Sequence, residues 1–198
     1  MTNMISSKWL WLAVTAAILV WGELSAPVDV ADRVGYMLRV TARLAFALLL
    51  IAYLARPLKQ LGVEGTALRW VLRNRRQVGL SMALAHTVHF GYVVAYLQVS
   101  GEPLAVVTAL FGGAAFVLMW LMAATSNNWS VAQLGHYWKR LHTVGLHYLW
   151  LIFMQTFLSR ALTGDPLYVG LIIAGLLALG LRSFAWLKRR KNQPSRTA

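Results

Sequence analysis

Residues 135–155 read GHYWKRLHTVGLHYLWLIFMQ, and the kind of fold follows from how this stretch meets its surroundings. It opens with a basic, aromatic collar, Tyr137, Trp138, Lys139 and Arg140, and then places His142 just inside a run that stays apolar. Tyr, Trp and basic residues together mark the level at which a helix enters a bilayer. A histidine beyond that level is costly in lipid, faces the interior of a helix bundle, and by default is functional. Upstream, residues 81–97, SMALAHTVHFGYVVAYL, put His86 and His89 in a second apolar run. Two membrane helices that offer imidazoles to one another supply what a b-type haem needs, because neutral imidazole is a good axial ligand and a bundle core is a dry pocket.

The composition agrees with a membrane setting. Of the 198 residues, 59% are hydrophobic and 13% charged, nine are tryptophan, and the mean hydropathy is +0.58. That places the chain among polytopic membrane proteins, with the lipid bilayer as its first partner. The net charge of +13 does not point to nucleic acid, because the basic residues gather at the ends and connections of apolar runs. There is no cysteine, which excludes disulfides, thiolate zinc sites, cysteine-bound iron–sulfur clusters and covalent c-type haem attachment. Any haem therefore rests on histidine. The run from Trp9 to Trp21 follows a single Lys8 and lacks a small-residue cleavage site, so it is expected to be a retained helix rather than a signal peptide.

Six apolar segments emerge, each near the ~20 residues that span a bilayer. They cover about 8–22, 35–54, 77–98, 104–124, 137–158 and 166–187. The first is bounded by Trp9, Trp11 and Trp21, which suit the interfacial belts. The second carries Arg39 and Arg43 on one face and is expected to stop at Arg56 and Pro57. A basic connection, 56–76, leads into the third, which holds His86 and His89. A tight turn at Ser100, Gly101, Glu102 and Pro103 precedes the fourth, which includes a flexible pair, Gly112 and Gly113, and a basic tail closes the chain. The expectation is an all-α, polytopic bundle of six transmembrane helices.

With six spans, fifteen of the nineteen Lys and Arg fall on one side and five of the six acids on the other. The positive-inside rule then puts both termini in the cytoplasm, as a multi-pass protein of the cell's inner (plasma) membrane. Segments three and five run the same way. His86 lies ten residues past Arg76 and His142 two past Arg140, so an equal depth needs tilt or an early start to the fifth helix. His86 and His89 share a face, whereas His142 and His147 diverge by about 140°. The first choice of ligands is His86 with His142. His89 and His147 are in reserve, the alternative for each being a polar residue hydrogen-bonded inside the bundle. The members of each pair are offset by only about 4.5 and 7.5 Å, too little for two stacked macrocycles, so one haem b is expected. His136, beside Tyr137 and Trp138, is expected to face headgroups.

At these residues the chain resembles a known family. Arg43 within TARLAF, RRQVGLSMALAH ending at His86, Thr125 with Ser126, and LGHYWKRLH ending at His142 are similar to the ferric reductase-like transmembrane domain. That family includes ferric reductases, NADPH oxidases and the bacterial haem-binding subunit of the periplasmic methionine sulfoxide reductase system. The resemblance covers about residues 35–158 and implies a six-helix bundle that binds b haem between helices three and five and passes electrons across the membrane. It divides the chain into a first helix and outer loop (1–34), the haem-binding core (35–158), and a sixth helix with a basic tail (159–198). Fuller members carry a second histidine about one leaflet further along each of the two helices; Ser100 and Gln155 stand at those positions here.

Other polar residues in lipid ask for partners. Haem propionates or a quinone headgroup would answer Arg43, while Arg39 is read as snorkelling to the outer surface. The cluster Arg73, Arg75, Arg76, Lys139 and Arg140 would meet inner propionates or an acidic flavoprotein, or simply lipid headgroups. There is no GxGxxG loop, and eleven residues follow Leu187, so FAD or FMN enters only through a partner. The expected activity is that of an oxidoreductase membrane subunit. It would take electrons from a separate flavoprotein reductase or quinol and deliver them to an acceptor at the outer face, such as a periplasmic redox partner. The alternative within this class is the haem-binding subunit of a periplasmic methionine sulfoxide reductase system. From a different class, the chain would be an assembly factor that kept the fold and lost the haem, or a small transporter using Gly112, Gly113 and His89, against which stands the lack of any membrane-embedded carboxylate.

Overall fold

In lipid every backbone N–H and C=O must find its partner within the segment, and the apolar runs accordingly become helices. The computed structural model describes residues 4–101 and 103–192. Glu102 of the turn and Arg196 of the tail lie outside the described residues. The helices are α1 (Met4–Leu24), α2 (Val30–Gln60), α3 (Thr66–Arg73), α4 (Arg75–Ser100), α5 (Val106–Ala124), α6 (Asn128–Leu134), α7 (His136–Leu162) and α8 (Pro166–Lys191), and no strand occurs among the described residues. Four of them, α2, α4, α5 and α8, are long and apolar enough to cross a membrane by length and composition. The apolar part of α1, Trp9–Leu24, is shorter, and α7 is diluted by His142, His147 and Gln155. The chain is a multi-pass helical membrane protein.

One expectation about local structure is corrected. The helix of the second segment does not stop at Pro57; α2 runs on to Gln60 with Pro57 inside it. Proline removes one i→i−4 hydrogen bond, here the one that would reach the carbonyl of Tyr53. That carbonyl accepts instead from Arg182 Nη1 of α8 at 3.0 Å, so the freed acceptor is satisfied from a neighbouring helix. In the fourth segment, α5 passes through Gly112 and Gly113 without a break.

The basic connection also contains a short helix, α3, and the link between α5 and α7 contains another, α6. In α3, Arg69 and Arg73 lie one turn apart and Trp70 stacks on Trp11 of α1 at 5.0 Å. That pattern suits a helix lying along an interface. Asp29 caps α2 by accepting from the amides of Ala31 and Asp32 at 2.9 and 3.1 Å, and Asp165 caps α8 just before Pro166.

Packing centres on α2. Phe46 and Leu49 are fully buried, and Phe46 meets Phe157 edge-on at 5.1 Å and Phe153 at 5.4 Å. Small residues let the helices close: a Cβ at Gly145 would come within 2.7 Å of Met122 Sδ, and one at Gly175 would collide with Met154 Sδ. Trp150 Nε1 donates to the Gly175 carbonyl at 3.0 Å. The outward surfaces of α5 and α8 remain apolar, with Leu110 66% and Leu177 62% exposed, as helices facing lipid do. One end of the bundle gathers the cations Arg56, Arg75, Arg76, Lys139, Arg182, Arg189 and Arg190. The other holds Asp29, Asp165 and the ion pair of Arg33 with Glu23 at 3.2 Å.

Candidate functional site

The cationic end encloses a cavity of about 760 Å³ between α2, α4, α5, α7 and α8. Its deep part is apolar, walled by Leu49, Met82, Met119, Met122 and Leu146, and Trp138, Trp186 and the seven cations surround the rest. A volume of that size is in the usual range for sites that hold a cofactor-sized ligand. His142 opens onto it. Its ring stacks on Trp138 at 4.1 Å, and its Nε2 makes a long 3.3 Å contact with Thr125 Oγ1. The Thr125 hydroxyl donates to the Leu121 carbonyl at 2.7 Å, so it accepts from the imidazole.

His86 sits one turn beyond the cavity's α4 wall of Gly79, Met82 and Ala83, on the same helical face. It is 6% exposed, and its Nδ1 is buried with no hydrogen-bond partner. Phe116 and His89 stack on the ring at 4.5 and 5.2 Å, and Phe153 packs against it at 4.9 Å. A buried, unpartnered imidazole nitrogen in a cage of aromatic rings is costly unless a ligand uses it.

The structure does not bring all the sequence-derived candidates together. Contact with Phe153 puts His86 level with a position eleven residues past His142 on α7, about 16 Å along the helix at 1.5 Å per residue. His142 thus serves the cavity and His86 lies behind its apolar end. His89 donates from Nδ1 to Thr41 Oγ1 at 3.0 Å, because the Thr41 hydrogen goes to the Met37 carbonyl at 2.7 Å. His147 donates from Nδ1 to the Thr143 carbonyl at 2.7 Å and meets Tyr53 edge-on at 5.5 Å. Both therefore keep Nε2 free of hydrogen, the tautomer that a held Nδ1–H fixes in metal-binding histidines.

Arg43 is elsewhere. It donates to the hydroxyl of buried Tyr168 at 3.2 Å, while Arg160 lies 5.5 Å from the same ring, and Arg43 Nε is buried without a partner. Sequence reading had no role for the sixth segment, yet α8 supplies Arg182, Trp186, Arg189 and Arg190 to the cavity. A signal existed: Arg182 is a charge inside an apolar run, as Arg39 and Arg43 are.

A helical membrane bundle with imidazoles on two of its helices, beside a cation-rimmed cavity of cofactor size, suits the class of membrane proteins that hold a haem. The sequence comparisons make the family specific. The chain is 30% identical over 197 residues to a protein of Bordetella pertussis (strain Tohama I) named protein-methionine-sulfoxide reductase heme-binding subunit MsrQ, across 93% of this chain and 85% of that protein. It is 29% identical to the protein of that name from Yersinia enterocolitica over 89% of this chain and 94% of the relative, and 32% identical over 137 residues to the one from Ralstonia nicotianae. The chain belongs to the MsrQ family. No family model and no solved structure matches it.

Proposed function

We propose that the chain is the haem-binding membrane subunit of a methionine sulfoxide reductase system, and that it holds one haem b between α4 and α7. The observation that carries this reading is the pairing of a cofactor-sized cavity, opened by His142, with the buried and unpartnered nitrogen of His86 behind its apolar end. The donor set suits haem: neutral imidazoles, a dry aromatic surround, and cations at the open end for two propionates. His142 and His86 are the first choice of ligands, with His89 and His147 in reserve. Because His142 and His86 stand about 16 Å apart along the helix axis, holding one iron between them requires α4 and α7 to move to a common depth when haem binds. When bound, the group supplies one-electron chemistry; the chain's residues hold it, exclude water and set its surroundings.

In this reading α1, α2, α4, α5, α7 and α8 all cross the inner membrane, residues 35–158 form the haem-binding core, and both termini are cytoplasmic. Electrons come from a separate flavoprotein or from quinol and leave toward an acceptor at the outer face. The names of the relatives favour the narrower of the two redox roles drawn from the sequence, that of a methionine sulfoxide reductase subunit over that of a general electron carrier. The test is a dithionite-reduced minus oxidised visible spectrum with haem counted per polypeptide. A b-type spectrum at about one haem per chain is expected. A folded preparation grown with haem available that shows no such spectrum would overturn the reading.

Arg43 belongs to a different place in this scheme. Its hydrogen-bond partner in the fold is the Tyr168 hydroxyl, away from the cavity, and this reading assigns it a quinone headgroup rather than a propionate. Arg43→Leu is expected to leave haem content unchanged and to slow reduction by a soluble quinol about tenfold, as the loss of one charged hydrogen bond costs. An unchanged rate removes the role.

A further inference from the structure

We propose that the mouth of the basic cavity is a discrete site for the phosphate of an acidic phospholipid drawn from the leaflet at the bundle's cationic end. Seven cations line the cavity and no carboxylate does. Among the described residues the ion pair seen is Arg33 with Glu23, at the opposite end. Arg56, Arg75 and Arg182, from three different helices, stand close enough to repel one another. Like charges held together in a partly dry space need an anion.

Two propionates would match two of the charges; the inference rests on the haem reading for that subtraction, and a surplus of five cations remains. Arg76 donates to Asn128 Oδ1 at 2.7 Å, and the Arg190 guanidinium lies 4.5 Å from the centre of the Trp186 ring. Lys139 and Arg189 add two exposed charges to the same mouth. These groups come from α4, α7 and α8, so one phosphate between them would join three helices.

The choice of a lipid over a free anion comes from α8. Its outward side is an exposed apolar track, with Leu177, Leu181 and Phe184 at 62%, 38% and 60% exposure, and it leads directly to half-exposed Trp186 and then to Arg189 and Arg190. An acyl chain can lie along that track while its headgroup turns into the cations, with Trp186 at the interfacial level between them. Inorganic phosphate uses the cations and gains nothing from the track.

The experiment reconstitutes the holoprotein in nanodiscs of phosphatidylcholine containing graded dioleoyl phosphatidylglycerol, and counts by mass spectrometry the lipid retained after exchange into neutral detergent. Wild-type protein is expected to keep phosphatidylglycerol in preference to phosphatidylcholine. The Arg189→Gln/Arg190→Gln double variant is expected to bind it roughly thirtyfold more weakly, from the usual contribution of two basic residues near an anionic surface. Arg189→Lys/Arg190→Lys is expected to retain it, which separates charge loss from misfolding. Equal retention of both lipids, or equal binding by wild type and the double glutamine variant, overturns the proposal. So does inorganic phosphate that displaces the lipid at matched concentration. Haem per chain is read in the same samples: selective lipid retention without haem sinks the haem reading and leaves this site standing, while haem without lipid selectivity does the reverse.

Discussion

Purified His86→Ala protein is expected to carry at least tenfold less haem than the wild type, and His142→Ala protein the same, since even indirect partners of metal ligands cost tenfold or more when lost. The two substitutions reach this result by different routes. His86 is 6% exposed with an unpartnered Nδ1, so its removal takes away a nitrogen that only a ligand can use. His142 is half-buried on the cavity wall, so alanine there changes the site with little effect on folding. His89→Ala and His147→Ala are expected to keep most of the haem, because neither ring lines the cavity as His142 does or holds a buried nitrogen without a partner as His86 does. A pyridine haemochrome count on each variant decides the matter. Haem retained in both His86→Ala and His142→Ala means that the iron is held by other groups.

Arg182→Met is expected to lower stability by about 2 kcal/mol in an otherwise wild-type chain and by much less in a Pro57→Ala background. Pro57 leaves the Tyr53 carbonyl without its helical donor, and Arg182 Nη1 fills that place at 3.0 Å while its guanidinium stacks on the Tyr53 ring at 4.4 Å. With alanine at 57 the amide returns and the carbonyl no longer needs the arginine. Thermal unfolding in detergent of the four proteins of the cycle tests this. An equal cost of Arg182→Met in both backgrounds removes the compensation, and Arg182 is then a cavity cation alone.

The compensation also shows why the sequence misjudged the end of the second segment. A proline inside an apolar run reads as a stop because the local helix loses a hydrogen bond and gains a clash. The repair comes from a residue 129 positions away, beyond the reach of local pattern. The short helices α3 and α6 were hidden for a related reason. At seven and eight residues they draw little on their own propensity and depend on what they pack against, as Trp70 does on Trp11.

What the sequence by itself determined was the membrane class, the order and rough limits of the long helices, and the two that carry core histidines. Partition between lipid and water is a property of each segment on its own, and a histidine inside an apolar run or an arginine at its edge reports it without reference to any neighbour. Tertiary structure alone decided which of those polar residues meet. It put His142 at a cavity and His86 about 16 Å further along the facing helix, sent Arg43 to Tyr168, and brought Arg182 to Tyr53. Those outcomes depend on the tilt, rotation and axial shift of one helix against another. Such variables are set by close packing at positions such as Gly145 and Gly175, and the hydropathy of a segment does not encode them.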